Sequence, residues 1–213
     1  MKKIAYRLQL TGCSGILPAA SCQLPARAFT LIETLIAVTI LAFAVAGPLF
    51  TASRVVVSAQ TARDQLTASY LAQEGIEYIR IMRDNEYLSS YQAGGTNISG
   101  VAWTNFLAGA ISQCRGIECS LDVTLPMGYG SGSSLYQCTG DNCKLHLLSN
   151  GVYATIRNGQ AGIETRFKRT IQVVDIPNTP DTHHDKRVVS IVSWNFHGTP
   201  HSVTVSDHVT PWQ

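Results

Sequence analysis

The sequence predicts an α+β protein: a long N-terminal helix, membrane-spanning in its first half, packed against a C-terminal antiparallel β-sheet head. Three observations carry that prediction. From Thr34 to Ser53 twenty residues pass without a charge, the length needed to cross the hydrocarbon core of a bilayer. Apolar or small residues then recur at three- and four-residue spacing through Ala68, Leu71, Ala72, Gly75, Ile79 and Met82, the period of a helix with one buried face. Past residue 120 that period gives way to branched, alternating stretches that read as strands. A helix followed by a run of strands buries its apolar stripe on the sheet. The expected boundaries are 1–28 for a leader, 29–88 for the helix, with about 29–55 in the membrane, and 89–213 for a globular head.

The leader is set apart by charge. The 213-residue chain has a formal net charge of +2. Lys2, Lys3, Arg7 and Arg27 give residues 1–28 a charge of +4 with no acid, and the remainder is left at −2. The basic balance therefore belongs to a segment that stays on the cytoplasmic side of a membrane. The rest lacks the clustered basic face that phosphate binding requires, so no nucleic-acid partner is expected.

The leader is not an ordinary secretory signal. Such a signal needs an unbroken apolar region of about 7–15 residues before its cleavage site. Arg7, Gln9, Pro18, Gln23 and Pro25 interrupt every candidate. Leu10-Thr11-Gly12-Cys13 has the look of a lipoprotein box, but Arg7 lies in the short span before it. Ala26-Arg27-Ala28 fits a small-x-small rule, but its apolar region follows instead of preceding.

The order basic leader, small residue, Phe29-Thr-Leu-Ile-Glu33, long apolar helix resembles the type IV prepilin family. The resemblance implies a cut between Ala28 and Phe29 by a membrane-embedded prepilin peptidase, acting on the cytoplasmic side and N-methylating Phe29. Ala28 stands where the family usually has glycine. The stretch Leu71-Ala-Gln-Glu-Gly-Ile-Glu-Tyr-Ile-Arg80 is similar to the corresponding stretch of V-type minor pilins and I-type minor pseudopilins. The fold implied is the same long helix and sheet head.

Glu33 is the one acid in the apolar run. A carboxylate there gains from the helix macrodipole, so a capping role is one reading. An ionisable group within a membrane span is costly and normally has a partner; the resemblance implies the free N-terminal amine of a neighbouring subunit, and an assembly role. Gly47-Pro48 is read as a helix break, because proline removes one hydrogen bond and kinks or locally melts a helix. Beyond Arg54 the helix is expected to leave the membrane and end near Asn85 or Tyr87. Arg63, Asp64, Glu74, Glu77, Arg80 and Arg83 are expected to face solvent.

In the head, Ser89–Gly100 reads as a polar turn region. Five strands are expected: Leu121–Leu125, Val152–Arg157, Phe167–Val174, Val188–Phe196 and Ser202–Val209. His197-Gly198-Thr199-Pro200 joins the last two as a hairpin loop. Trp103, Trp194 and Trp212 read as core or sheet-covering residues.

Cys114, Cys119, Cys138 and Cys143 form two C-x₄-C units. Four thiolates can hold zinc, although that spacing is at the edge of structural sites. Outside the cytoplasm an even count favours two disulfides, with three pairings open. Asp181-Thr-His-His-Asp185 is the other ligand-like cluster, and its proline and basic flanks read as an exposed connecting loop. No nucleophile elbow, Walker loop, HExxH or dinucleotide fingerprint occurs, so no catalytic residue, metal or cofactor is expected.

The expectation is a non-enzymatic filament subunit: a minor pilin of a type IV pilus, or a pseudopilin of type II secretion. It would be stored in the inner membrane as a single-pass protein with an extracytoplasmic head. Its partners would be other pilin or pseudopilin subunits, prepilin peptidase, an inner-membrane assembly platform and membrane lipid. The alternative is a tip adhesin or a binding subunit of a DNA-uptake pilus, the one case in which a nucleic-acid partner would be expected, with a membrane-anchored enzyme ranked below both.

Overall fold

The computed structural model describes residues 30–130, 132–156, 161–176 and 185–211. The leader, the Ala28/Phe29 junction, Trp212 and residues 181–184 of the Asp181–Asp185 cluster lie outside the described residues. The chain divides into two compact units, Met1–Ala52 and Ser53–Gln213. Helix α1 (Leu31–Ala93) contributes to both.

In the first unit α1 is apolar all round. Residues 31–52 are exposed throughout, including Leu31 at 82% and Phe43 at 80%. A helix without a polar face has either a protein core or lipid around it. By length and composition this one can cross a membrane.

In the second unit the same helix becomes one-sided. Ala68, Leu71, Ala72, Gly75, Ile79 and Met82, the residues spaced at helical intervals, are all buried, together with Ile76. A short α2 (Ile98–Asn105), a π-helical turn (Phe106–Ala110) and a 3₁₀ turn (Ser112–Cys114) lead into the strands. These are β1 (Cys119–Leu121), β2 (Leu135–Gln137), β3 (Lys144–Leu148), β4 (Tyr153–Ala154), β5 (Gly162–Asp175), β6 (Lys186–Phe196) and β7 (Thr199–Val209).

The sheet is built on β5. One of its edges is shared by β3, along the first half, and β1 at Ile171. The other edge carries β6, and β6 carries β7. Every named pairing is antiparallel. Phe167, Ile171 and Val173 of β5 are buried while Lys168 and Gln172 of the other parity are half-buried. The side facing α1 closes two apolar clusters: Ile76, Ile79 and Met82 with Ile171, Val173 and Val188, and Ala68, Leu71 and Ala72 with Phe167, Val192 and Trp194. Trp103 and Trp194 are both core residues, 4% and 5% exposed.

Several boundaries differ from the sequence reading. Helix α1 runs to Ala93, because the polar Ser89 and Ser90 do not break a helix and the first residue that does is Gly94, at φ +74. The expected turn region also contains the start of α2, capped by Asn97, whose side chain accepts a hydrogen bond from the Gly100 amide at 3.2 Å. The strand expected at Leu121–Leu125 ends at Leu121, where Asp122 folds back to accept from the Thr124 amide at 2.9 Å. Of the strand expected at Val152–Arg157, Arg157 lies outside the described residues and the described part is strand only at Tyr153–Ala154; β2 and β3 were not foreseen. The β6–β7 loop is tighter than expected: only His197 (φ +50) and Gly198 (φ +81) turn, the left-handed pair a two-residue hairpin needs. Thr199 and Pro200 already belong to β7.

Candidate assembly site

The N-terminal end of α1 is set by Thr30. Its Oγ1 accepts a hydrogen bond from the Glu33 amide at 3.3 Å, and its carbonyl accepts from the same amide at 3.0 Å. Threonine followed three residues later by glutamate is the capping-box pattern. Glu33 thus sits in the first turn of α1, where its charge faces the positive end of the helix dipole. The side chain is exposed, and among the described residues its carboxylate has no partner. Local geometry accounts for helix entry and leaves the acid available on an apolar surface.

Pro48 lies inside α1, and the helix continues through Gly47 and Pro48 without ending. Proline has no amide hydrogen, so the Ala44 carbonyl loses its usual donor. Thr51 Oγ1 donates to the carbonyls of Pro48 at 2.9 Å and Gly47 at 3.3 Å. The expected break is therefore a missing hydrogen bond within a continuous helix.

Further along, α1 is held to the sheet by charges that the sequence reading had assigned to solvent. Arg166 pairs with Asp64 at 2.7 Å, and Arg80 pairs with Asp207 at 2.5 Å. Between them Arg169 is fully buried. Its guanidinium donates to Glu74, to the Leu121 carbonyl at 3.0 Å and to the Leu71 carbonyl at 3.3 Å. Burial pushes the Arg169 pKa down, and the charge of Glu74 opposes that. Gly75 sits against Ser190: a Cβ placed there would meet Ser190 Oγ at 2.6 Å and Ile171 Cδ1 at 3.2 Å. The sequence Glu74-Gly75 therefore couples an ion pair to a close helix–sheet approach. Helical periodicity does not reveal this, because Glu74 falls beside the buried stripe instead of within it.

Disulfides join Cys114 to Cys119 and Cys138 to Cys143, which leaves none of these four sulfurs as a thiolate for a metal. The two loops abut, since the Cys138 amide donates to the Glu118 carbonyl at 2.9 Å. Of the Asp181–Asp185 cluster, Asp185 is described and lies 2.6 Å from His208 Nδ1. Next to it Lys186 is buried and pairs with Asp175 at 3.0 Å. Arg115 also holds Asp175, at 2.9 Å. Its hydrogen bond is the main cause that holds the Asp175 carboxyl below its ordinary pKa, against partial burial, with Lys186 adding to it. Among the described residues no group of three or more His, Cys, Asp or Glu is placed to hold a metal ion.

Residues 25–47 match the family model of the prokaryotic N-terminal methylation motif. The match covers the leader junction, Glu33 and the first turns of α1, and it supports a type IV pilin-like protein. No curated protein and no solved structure is significantly similar to the chain. The motif and the apolar helix point to membrane anchoring. The motif also points to a structural subunit, processed by a prepilin peptidase and assembled with other pilins.

Proposed function

We propose that this protein is a minor pilin or pseudopilin. It is cut between Ala28 and Phe29, methylated on the Phe29 amine and held in the inner membrane by about residues 29–55 until it enters a filament. The observation that carries this reading is the methylation-motif match at residues 25–47, because it ends inside the one helix among the described residues that is apolar enough to span a bilayer. In the filament Glu33 neutralises the Phe29 amine of a neighbour. An ion pair buried in lipid fixes register, since either charge alone is costly there. The missing hydrogen bond at Pro48 lets that part of α1 loosen as subunits pack. The head is presented outside, with its two disulfides kept oxidised.

Mass spectrometry of the protein co-expressed with and without a prepilin peptidase tests the reading. The expected product begins at Phe29, with one methyl group, only when the peptidase is present. Retention of residues 1–28 in both samples would sink it.

A further inference from the structure

One end of the sheet carries exposed apolar and charged residues that the helix–sheet packing does not use. The cross-links give its position along α1. Asp64 meets Arg166, Glu74 meets Arg169 and Arg80 meets Asp207, and Arg83 donates to the Thr210 carbonyl at 3.2 Å. Going forward along α1 thus goes forward along β5. The start of β5, the end of β3 paired with it and the β6–β7 turn therefore lie at the end where the chain enters the second unit at Ser53.

Two hollows are lined by residues at that end. In the first, Ile163 is 74% exposed and pairs across strands with Leu147, as Gly162 does with Leu148. With Ala161 they line a shallow apolar hollow of about 330 Å³. In the second, Gln60, Arg63 and Asp64 of α1 face Glu164 and Arg166 of β5 around about 450 Å³. Its charged lining holds two cations and two anions. Asp64 and Arg166 are spent on each other, and Glu164 is shared with Lys144 at 3.0 Å. Arg63 is exposed and makes no ion pair among the described residues.

We infer that this rim is a docking surface for the phospholipid bilayer. Ile163, Leu147 and Leu148 enter the interfacial layer, Arg63 meets lipid phosphates and Glu164 faces the ammonium of a zwitterionic headgroup. Asp64 lies eleven residues past Ser53, about 16 Å of helix rise. From its partner Arg166, β5 runs back three residues to Ile163, up to about 10 Å. The difference leaves Ile163 about 7 Å beyond the level of Ser53, comparable to the polar layer of each leaflet, itself about 5–7 Å thick. An apolar patch beside charges of both signs matches the layering of that interface, where amphipathic contacts gain from both. This inference rests on the reading that residues 29–55 span the membrane.

The test uses the full chain with Cys13→Ser and Cys22→Ser, so that only an introduced thiol is labelled. The protein is placed in vesicles of phosphatidylethanolamine with a minority of phosphatidylglycerol. A bimane is attached at Ile163→Cys, at Tyr91→Cys near the far end of α1, or at Leu41→Cys in the span. Quenching is read with nitroxides on the lipid headgroup or deep in the acyl chain. The expected pattern is Leu41 quenched from the acyl chain, and Ile163 quenched from the headgroup severalfold more than Tyr91. Adding Arg63→Glu should lower the Ile163 signal severalfold and leave Leu41 unchanged. If Ile163 matches Tyr91 while Leu41 is quenched, the rim is overturned and the span stands. If Leu41 is not quenched, the membrane reading fails and takes the rim with it. Full Ile163 quenching in the Arg63→Glu chain would overturn the part given to Arg63.

Discussion

Gly75 and Ser190 are a pair in which each residue constrains the other. Ser190 is buried with an Oγ that has no hydrogen-bond partner among the described residues, and the missing Cβ of Gly75 is what makes room for it. Gly75→Ala gains about 1 kcal/mol of helix propensity and incurs about 1–3 kcal/mol of overpacking. The expected net is a loss of up to about 2 kcal/mol, measured by denaturant unfolding. Ser190→Ala removes an unpartnered hydroxyl and should be neutral or slightly stabilising. Together the two changes should cost less than their sum, because contacting residues couple. Strict additivity would mean that the close approach is not between these two residues. Asp175 gives a pH-dependent counterpart. Its folded pKa is depressed, first by the hydrogen bond from Arg115, so its contribution is complete above the unfolded carboxylate value of about 4. That contribution is lost as pH falls from about 4 through the folded value. Thermal melts of the wild type should drop over that window, and Asp175→Asn should drop less while starting lower. Equal slopes would remove Asp175 from the acid response.

At the scale of elements, the links between α1 and the sheet are unequal. Asp64–Arg166 and Arg80–Asp207 lie near the surface, and exposed pairs contribute about 1 kcal/mol or less. Arg169 is buried, and Glu74→Ala strands its charge. Breaking a buried pair costs about 3–5 kcal/mol, with the low end expected because Glu74 is 42% exposed. Asp64→Ala should stay below about 1 kcal/mol in the same unfolding assay, and equal effects would show that burial does not rank these links. The disulfides should matter modestly, because each closes a loop of sequence separation 5. Loop entropy assigns about 2 kcal/mol to so short a closure, so Cys138→Ser with Cys143→Ser should lower stability by about that much. These elements were unevenly legible in the sequence. The long ones, α1 and the β5–β6–β7 meander, repeat their period often enough to be read from residues alone. Strands β2 and β3 were missed because three and five residues carry too little pattern, and β3 is interrupted by a register shift between Lys144 and His146. Glu74, Asp64 and Arg80 were read as solvent charges because their arginine or carboxylate partners lie 95 to 127 positions away. Spacing along one helix carries no signal of that distance.

At the scale of the whole molecule, two halves of the sequence follow different solvents. The second unit ties α1 to the sheet through the arginine–carboxylate pairs Asp64–Arg166, Glu74–Arg169 and Arg80–Asp207. The described part of the first unit offers a helix with apolar surface on every side and one acid, Glu33, whose carboxylate finds no partner among the described residues. The amide of Glu33 is used in capping by Thr30; its side chain takes no part in that cap and is exposed to meet something else. If that something is the amine of a neighbouring subunit, Glu33→Gln keeps the size and the hydrogen-bonding capacity but removes the charge. Insertion into the inner membrane should be unchanged or slightly improved, since a neutral amide is cheaper in lipid than a carboxylate. Entry into the filament should fall. Loss of about 2–3 kcal/mol of pairing within the bilayer corresponds to a decrease of about 30- to 150-fold in the assembled fraction. The measurement is the ratio of this subunit in sheared filaments to that in the membrane fraction, with Thr30→Ala as a control that weakens the cap and keeps the charge. Wild-type ratios for both Glu33→Gln and Glu33→Ala would remove the pairing role. A drop for Thr30→Ala as large as that for Glu33→Gln would instead identify helix entry as the quantity that assembly depends on.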